Sequence, residues 1–172
     1  MPTFRQDLSA IGAYVPGRPI DDVARELGIT PDQIVKLASN ESPDGPFPGV
    51  IAAATAALSN SHRYPDNDTV ELSAALSKWL EVSPDHLWLG AGSVALLANI
   101  ALVVGGPGTS AVLAWPSFVM YRTVSRWALT DTVEVPLTTD LVHDLEAMRA
   151  AIRDDTTVVY ICNPNNPTGT IV

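Results

Sequence analysis

Three short segments carry the residues of this chain that are best suited to chemistry, and each follows an apolar run. They are LGAGS at residues 89–93, WPSF at 115–118 and NPNNPTG at 163–169. Glycines before a helix leave backbone N–H groups open to an anion, an aromatic ring can stack on a planar group, and an asparagine amide both donates and accepts. Each segment therefore favours a different contact with a ligand.

In LGAGS, Gly90 and Gly92 lie between a predicted strand and a helix that begins near Ser93. The N–H groups and dipole of such a helix start favour a phosphate, and glycine allows the ligand to approach the backbone closely. The segment lacks the GK[ST] of a Walker A loop and is not a full GxGxxG fingerprint. Taken by itself, it also fits an ordinary strand–helix turn.

Each of two aromatic residues could contact a ligand, or could have an ordinary structural role. Phe118 follows the predicted strand 110–115 and could stack on a planar ring, or pack in the core. Tyr64, in the RYPD turn, could offer its hydroxyl to a ligand, or be amphipathic surface. The histidines His62, His86 and His143 do not cluster in sequence, and we predict no catalytic or metal role for them.

NPNNPTG is the most informative of the three segments. So many turn-forming residues directly after a buried strand indicate that the geometry of the loop matters. An asparagine at the carboxyl end of a strand can donate one hydrogen bond and accept another, which suits a ligand oxygen that must keep one ionisation state.

Alternating strands and helices follow residue 85 and position these loops. The pattern predicts an α/β fold with a mostly parallel sheet covered on both faces, in which ligands gather at the carboxyl ends of strands. Asp140 is the predicted N-cap of the last helix. The predicted strands are 86–90, 110–115, 131–137 and 156–162, and the predicted helices are 93–104, 118–129 and 140–152.

The earlier part of the chain is different in character. Residues 1–48 are irregular, with a short predicted helix at 21–28 and a loop at 39–49 rich in proline and glycine. Two further helices are predicted at 49–60 and 69–80.

Composition limits the partners and the compartment. The 172 residues carry a formal net charge of −9, which argues against nucleic acid or an anionic membrane surface as the main partner. The start, MPTFRQDLSA, lacks the apolar region of a signal peptide, and no apolar run approaches the ~20 residues of a membrane span. The single cysteine, Cys162, excludes an internal disulfide, so we expect a cytoplasmic protein.

Taken jointly, the segments resemble the class I and II pyridoxal-phosphate aminotransferases, in particular the histidinol-phosphate aminotransferase-like group. The resemblance covers nearly the whole chain in the order of the family. It rests on YVPGRPIDDVARELG (14–28), KLASNESPDGP (36–46), RYPD (63–66), LGAGS (89–93), WPSFVMY (115–121), DLEAMRAAI (144–152) and CNPNNPTGT (162–170).

The resemblance implies fold type I, with a three-layer α/β/α large domain, and pyridoxal 5'-phosphate as cofactor. The cofactor phosphate would lie on the N–H groups of Ser93 and Val94, and Phe118 would stack on the pyridine ring. Asn166 would bond the phenolic oxygen, with Asn166–Pro167 as a cis peptide, and so help hold the ring as an electron sink. Tyr64 would reach the phosphate of the other subunit in a homodimer, and Asn40 would close over the substrate.

The resemblance also implies that the chain is an N-terminal fragment. Residues 1–48 would form an arm and a substrate-covering loop, and 49–172 the first, incomplete part of the cofactor-binding domain. The family has its Schiff-base lysine beyond NPTG, and neither Lys36 nor Lys78 matches that position. We therefore expect this polypeptide to be inactive by itself.

The implied reaction moves an amino group between an amino acid and a 2-oxo acid. The group commonly carries an acidic pair after GxGS, whereas this chain has Val94–Ala95, which favours the aromatic or phenylalanine branch over histidinol phosphate. Alternatives are a pyridoxal-phosphate decarboxylase of the same fold, a non-catalytic α/β binding fragment, and a nucleotide-dependent Rossmann enzyme, which the incomplete glycine fingerprint disfavours.

Overall fold

The computed structural model describes residues 16–172, which form two compact units. The first unit ends at Asp68 and contains two helices, α1 (Ile20–Leu27) and α2 (Pro48–Ala57). The predicted helix 21–28 is thereby confirmed, and α2 continues into a 3-10 turn, Leu58–Asn60, as the prediction for 49–60 requires. Residues 1–15 lie outside the described part of the chain. The prediction that the chain starts without a signal peptide concerns these residues, and so do the first two residues of the segment 14–28.

The second unit, Thr69–Val172, holds the alternating strands and helices. Its strands agree with the prediction to within two residues, except for 86–90. The elements are α3 (Val70–Leu80), α4 (Ser93–Val104), β1 (Ser110–Trp115), α5 (Val119–Trp127), β2 (Asp131–Pro136), α6 (Leu145–Ala150) and β3 (Thr156–Tyr160).

The three strands form one parallel sheet in the order β2–β1–β3. Ser110 of β1 pairs with Asp131 of β2 and with Thr156 of β3, so all three strands begin at one edge and end at the other. The central strand β1 is almost completely buried, which explains its short, continuous apolar sequence SAVLAW. The sheet is parallel, as predicted.

Helices cover both faces of this sheet. On one face, Ala111 and Leu113 pack with Ala101 of α4 and Val124 of α5. On the other, Val112 and Ala114 pack with side chains that include Met148 of α6. Since successive residues of a strand point to opposite faces, this alternation produces the expected three layers, α/β/α.

Two predictions in this unit are wrong. Residues 87–90 are not a strand: Leu87 is extended (φ −112°, ψ 128°), but the segment pairs with none of the three described strands, and His86 closes a 3-10 turn. The last helix begins at Leu145 rather than near Asp140, and its N-cap is Asp144, whose carboxylate accepts from the Ala147 N–H at 2.9 Å. The chain before it is turned back at Leu141, which has a left-handed backbone (φ 61°), so a helix cannot run through that residue.

Within residues 16–172, no helix is both long enough and apolar enough to cross a bilayer. The geometric division between the units falls after Asp68. The functional boundary at residue 48 stays a prediction.

Candidate ligand-binding site at the carboxyl edge of the sheet

Two of the three segments singled out by the sequence meet at the carboxyl edge of the sheet. Strand β1 ends at Trp115 and is followed by Ser117 and Phe118, while β3 ends at Tyr160 and leads into the loop 163–170. Because β1 and β3 are parallel neighbours, both segments leave the sheet at the same edge.

Asn165 joins these two loops. It is buried, with 3% of its surface exposed, and its amide is fully used. The Oδ1 atom accepts from Ser117 Oγ at 2.7 Å and lies 3.0 Å from His143 Nε2. The Nδ2 atom donates to the Pro116 carbonyl at 3.3 Å and to Thr168 Oγ1 at 2.8 Å. All four hydrogen-bonding positions of the amide are therefore occupied.

The backbone of the same loop is closed on itself. The Asn165 N–H donates to the Thr170 carbonyl at 2.8 Å, and the Gly169 N–H donates to the Asn165 carbonyl at 2.7 Å. Gly169 has a left-handed backbone (φ 71°), which glycine adopts without the steric cost of a Cβ. The hydroxyl of Thr170 also donates to the Leu141 carbonyl at 2.7 Å, so the loop is anchored to the turn before α6.

Asn166 differs from its neighbour. Its side chain is partly exposed, and its amide has no hydrogen-bond partner among residues 16–172. The Asn166–Pro167 peptide is cis, as predicted. An amide that the rest of the fold leaves unused, on a loop held by its neighbour, is available to a ligand.

The structure places Phe118 in a small aromatic cluster. Its ring meets Tyr121 edge to face, with centroids 5.5 Å apart, and Tyr121 stacks on Tyr160 at 4.7 Å. Phe118 is only partly buried, so it is not a core residue in the sense of the simpler interpretation. Burial, assisted by the neighbouring Cys162 thiol, raises the pKa of the Tyr121 phenol well above its ordinary range, and this hydroxyl stays neutral.

The start of α4 offers the backbone donors that LGAGS predicts. Gly92 precedes the helix with φ 82°, a conformation that favours glycine, and no side chain of residues 16–172 caps the N–H groups of Ser93 and Val94. The first turn of α4 carries no acidic side chain that would repel an anion.

The opposite end of α4 indicates where this helix start lies. The Gly106 N–H, just past the helix, donates to Thr130 Oγ1, and Thr130 directly precedes β2, so the helix ends near the amino edge of the sheet. A helix of 12 residues spans about 18 Å, close to the length of a six-residue strand, and Ala101 of α4 packs against the sheet face that carries Leu113 and Tyr160. Its first residues therefore point towards the carboxyl edge.

The remaining predicted site residues belong to the first unit. Tyr64 lies between the 3-10 turn Leu58–Asn60 and α3, and its side chain is 100% exposed. Asn40 has a left-handed backbone (φ 52°) and lines a cavity of about 610 Å³ together with Ile34 and Lys36. Lys36 is paired with Glu41 at 2.6 Å.

Sequence reasoning missed the residues that build the loop. Ser117, His143 and Asn165 are all buried, and none was a candidate. The pair Asn165–Asn166 was a weak signal for Asn165, because two adjacent amides in a loop need not both face a ligand. Nothing in the sequence indicated that His143 would meet Asn165.

The chain belongs to the class I and II aminotransferase family, whose model matches residues 32–172. It is 43% identical over 169 residues to a histidinol-phosphate aminotransferase of Caldicellulosiruptor saccharolyticus, covering 98% of this chain and 46% of that protein. It is 44% identical over 166 residues to an aromatic amino acid aminotransferase of Rhodococcus erythropolis, covering 96% of this chain and 43% of the relative. The chain thus spans less than half the length of these curated relatives.

Solved structures support the same family. The histidinol-phosphate aminotransferase of Sinorhizobium meliloti, solved in complex with pyridoxal-5'-phosphate, superposes with a TM-score of 0.78 at 27% identity. The match covers 97% of this chain and 44% of that one. The observed parallel sheet with helices on both faces is therefore part of an aminotransferase fold of type I.

Proposed function

We propose that this chain forms part of a pyridoxal-phosphate-dependent aminotransferase, which moves an amino group between an amino acid and a 2-oxo acid. The observation that carries the proposal is the amide of Asn166, which residues 16–172 leave unpaired, on a loop that Asn165 ties to the segment bearing Phe118. Family membership supplies the chemical class. Phe118 and Asn166 at the carboxyl edge are an aromatic ring and an amide, which can contact a planar ring and its oxygen.

The phosphate of the cofactor is proposed to bind at the start of α4. The Ser93 and Val94 N–H groups lack a side-chain cap, and the helix dipole favours an anion there. Gly92 carries no Cβ, so a phosphate oxygen can approach the backbone without steric obstruction. This part of the chain therefore fits the phosphate without any basic side chain.

The ring of the cofactor is proposed to lie between Phe118 and the loop that carries Asn166. The Asn166 Nδ2–H would donate to the phenolic oxygen, and a donor to an oxygen favours its ionised form. Phe118 would cover one face of the ring and exclude water from it. When bound, pyridoxal phosphate supplies the electron sink for loss of the substrate α-proton.

Neither lysine of the chain is proposed to form the Schiff base. Lys36 is paired with Glu41 in the first unit, and Lys78 is exposed in the last turn of α3. We therefore propose that these 172 residues hold the cofactor and do not turn over substrate by themselves.

The first unit is proposed to serve the substrate and the partner subunit. Residues 1–48 would form the arm and covering loop, with Asn40 at the cavity that closes over the substrate. The fully exposed Tyr64 would reach the cofactor phosphate of the other subunit in a homodimer. The protein is proposed to act in the cytoplasm, on small molecules only.

For the substrate we propose an aromatic amino acid, with histidinol phosphate as the competing donor. Relatives with both names are more than 40% identical to this chain, so identity alone does not choose between them. The apolar pair Val94–Ala95, where the histidinol-phosphate group commonly has acidic residues, supports the aromatic branch.

The proposal is tested by titrating the full-length product of the gene that encodes these residues with pyridoxal 5'-phosphate, followed by the absorbance of the bound cofactor. We expect saturable binding that weakens about tenfold or more in Asn166→Ala, the scale of one lost hydrogen bond to a charged group. Asn163→Ala, in the same loop, is the matched control. The Asn163 amide is occupied by the backbone of Val172, so its loss should leave the affinity for the cofactor unchanged. Absence of binding by the wild type would overturn the proposal.

The substrate class is tested by supplying phenylalanine, tyrosine or histidinol phosphate as amino donor with 2-oxoglutarate as acceptor. A higher kcat/KM for the aromatic donors is expected. A preference for histidinol phosphate would move the protein to the other branch and leave the cofactor site unaffected.

A further inference from the structure

We propose that His143 is a positioning residue for the candidate cofactor loop: through Asn165 it fixes the place from which Asn166 contacts the cofactor. The inference rests on the proposed function for its catalytic meaning. Its structural content, the hydrogen bond between His143 and Asn165 and its effect on the loop, stands independently of any cofactor.

The orientation of the Asn165 amide can be deduced from its surroundings. The Pro116 carbonyl lies 3.3 Å from one end of the amide, and a carbonyl can only accept, so that end must be Nδ2. The other end is therefore Oδ1, which faces the Ser117 hydroxyl and His143 Nε2. Since Oδ1 can only accept, His143 Nε2 must carry a proton and donate it.

His143 is suited to one fixed bond. The residue is 4% exposed, and its other ring nitrogen, Nδ1, has no hydrogen-bond partner among the described residues. The bond from Nε2 to Asn165 is thus the hydrogen bond that the described structure gives this imidazole. Burial of a polar ring costs free energy unless the ring is hydrogen-bonded, and here the bond to Asn165 offsets that cost. We therefore assign His143 a role in holding the loop.

The segment that carries His143 supports the loop at two further points. The Leu141 carbonyl accepts from Thr170 Oγ1 at 2.7 Å and from Thr168 Oγ1 at 3.3 Å. Residues 141–143 therefore form a third wall beside the loops from β1 and β3. Asn165 is bonded to all three, through Ser117, His143 and Thr168 of its own loop.

Removal of the His143 bond acts on Asn166 through the chain. Asn165 is held at both ends of its amide and by two backbone hydrogen bonds, so its neighbour has little freedom. Without His143, the Asn165 Oδ1 atom accepts only from the Ser117 hydroxyl, and the amide can rotate or move away from residues 141–143. A shift of that kind displaces Asn166 from a ligand oxygen without touching the ligand.

Three substitutions separate this role from a general packing role. In His143→Gln, the side-chain nitrogen occupies the place of Nε2, whereas in His143→Asn it occupies the place of Nδ1, which has no hydrogen-bond partner among the described residues. His143→Ala removes both. We expect the hydrogen-bonded function to survive in the Gln variant and to be lost in the Asn and Ala variants.

The first measurement needs no cofactor. Amide hydrogen exchange of the full-length gene product is followed at Gly169 and Asn165, whose N–H groups close the loop, and at β1 as an internal reference. Exchange at the loop should rise about tenfold in His143→Ala and His143→Asn and return to within about twofold of wild type in His143→Gln. Unchanged loop exchange, or an equal rise at β1, would overturn the inference.

The second measurement uses the cofactor and the partner residue. Affinity for pyridoxal 5'-phosphate should fall about tenfold in His143→Ala, whereas the same change in an Asn166→Ala background should alter it less than about twofold. Equal losses in the two backgrounds would show that His143 does not act through Asn166. If the wild type does not bind the cofactor, the proposed function fails, and the exchange experiment alone decides the role of His143.

Discussion

Asn165 and Asn166 are adjacent in the chain, yet their side-chain amides have opposite surroundings. The amide of Asn165 is buried and occupied at every position, whereas that of Asn166 is partly exposed and bonds no described residue. Asn165 holds the loop together, whereas Asn166 is the residue proposed to contact the ligand. Substitution at the two positions should therefore affect different properties.

Asn165→Ala should destabilise the protein, and Asn166→Ala should not. Loss of the Asn165 amide leaves the Ser117 hydroxyl and the His143 Nε2–H without an acceptor in a buried place, at a cost of about 2–4 kcal/mol in the free energy of unfolding. Asn166→Ala removes no described hydrogen bond and should change that free energy by less than about 0.5 kcal/mol. Chemical denaturation of the full-length gene product measures both.

A reversed order of these two stabilities would contradict the division of roles. Asn165→Asp serves as the matched variant, since it keeps both acceptor contacts and loses the two donations, to the Pro116 carbonyl and to Thr168. Its stability should lie below that of the wild type.

The proposed phosphate contact at α4 can be tested by removing a single N–H. Ser93 is the first helical residue, where proline is well tolerated, and Gly92 before it has the extended ψ (162°) that a following proline requires. Ser93→Pro should weaken binding of pyridoxal 5'-phosphate about tenfold, but leave binding of pyridoxal, which has no phosphate, unchanged. Titration of both compounds provides the comparison.

Ser93→Ala is the control for that experiment, because it removes the hydroxyl and keeps the backbone donor. Nearly normal affinity is expected. If Ser93→Ala weakens binding as much as Ser93→Pro, the contact is made by the side chain and the interpretation of the helix start is wrong.

The Tyr121 phenol should titrate abnormally. Burial raises its pKa in the folded state above the value near 10 of an exposed tyrosine, so above that pH the unfolded chain loses a proton that the folded chain keeps. This contribution to stability is complete below about pH 10 and is lost as the pH rises further. Denaturation in alkaline buffers should show a steeper decline for the wild type than for Tyr121→Phe.

The tyrosinate absorbance of the folded protein provides an independent check. Tyr121→Phe should remove a tyrosine that ionises only at extreme pH or on unfolding, and should leave the early part of the titration curve unchanged. A loss of absorbance near the ordinary tyrosine pKa would contradict the buried environment.

Phe118→Leu tests the proposed aromatic contact with the cofactor. Leucine keeps an apolar side chain beside Tyr121 but has no ring to stack on a pyridine, so binding of pyridoxal should weaken several-fold. The affinity of inorganic phosphate for the start of α4, measured by its competition with pyridoxal 5'-phosphate, should be unaffected. Equal affinity for pyridoxal in the wild type and Phe118→Leu would remove Phe118 from the proposed site.

The main elements of the second unit could be predicted from local patterns. The buried strand 110–115 and the helix 93–104 have the predicted bounds, because a short apolar run and an apolar helix ended by glycine are defined by the residues themselves. The segment 86–90 has the same apolar character, but a strand exists only where a neighbour supplies hydrogen bonds, and sequence does not report the neighbour.

Only some of the residues of the candidate site could be predicted from the sequence. Asn166 and Phe118 belong to motifs and could be singled out, whereas the role of Asn165 depends on Ser117 and His143, which are 48 and 22 residues away. The error at Asp140 has a related cause. The pattern of Leu141, Leu145, Met148 and Ile152 is helical, but the left-handed backbone at Leu141 ends that pattern, and only Met148 of the four is buried.

The position of β1 between β2 and β3 has a consequence for how the site comes into being. The bond from Ser117 to Asn165 joins residues 48 positions apart. It can form only after β3 has docked on β1, although α5, β2 and α6 lie between these two strands along the chain. Contacts between residues so far apart in the chain form slowly and late, because closing the loop between them costs entropy before the contact stabilises the fold. The candidate site is therefore a product of complete folding, and a chain whose sheet is only partly assembled has the residues for binding but no place to bind.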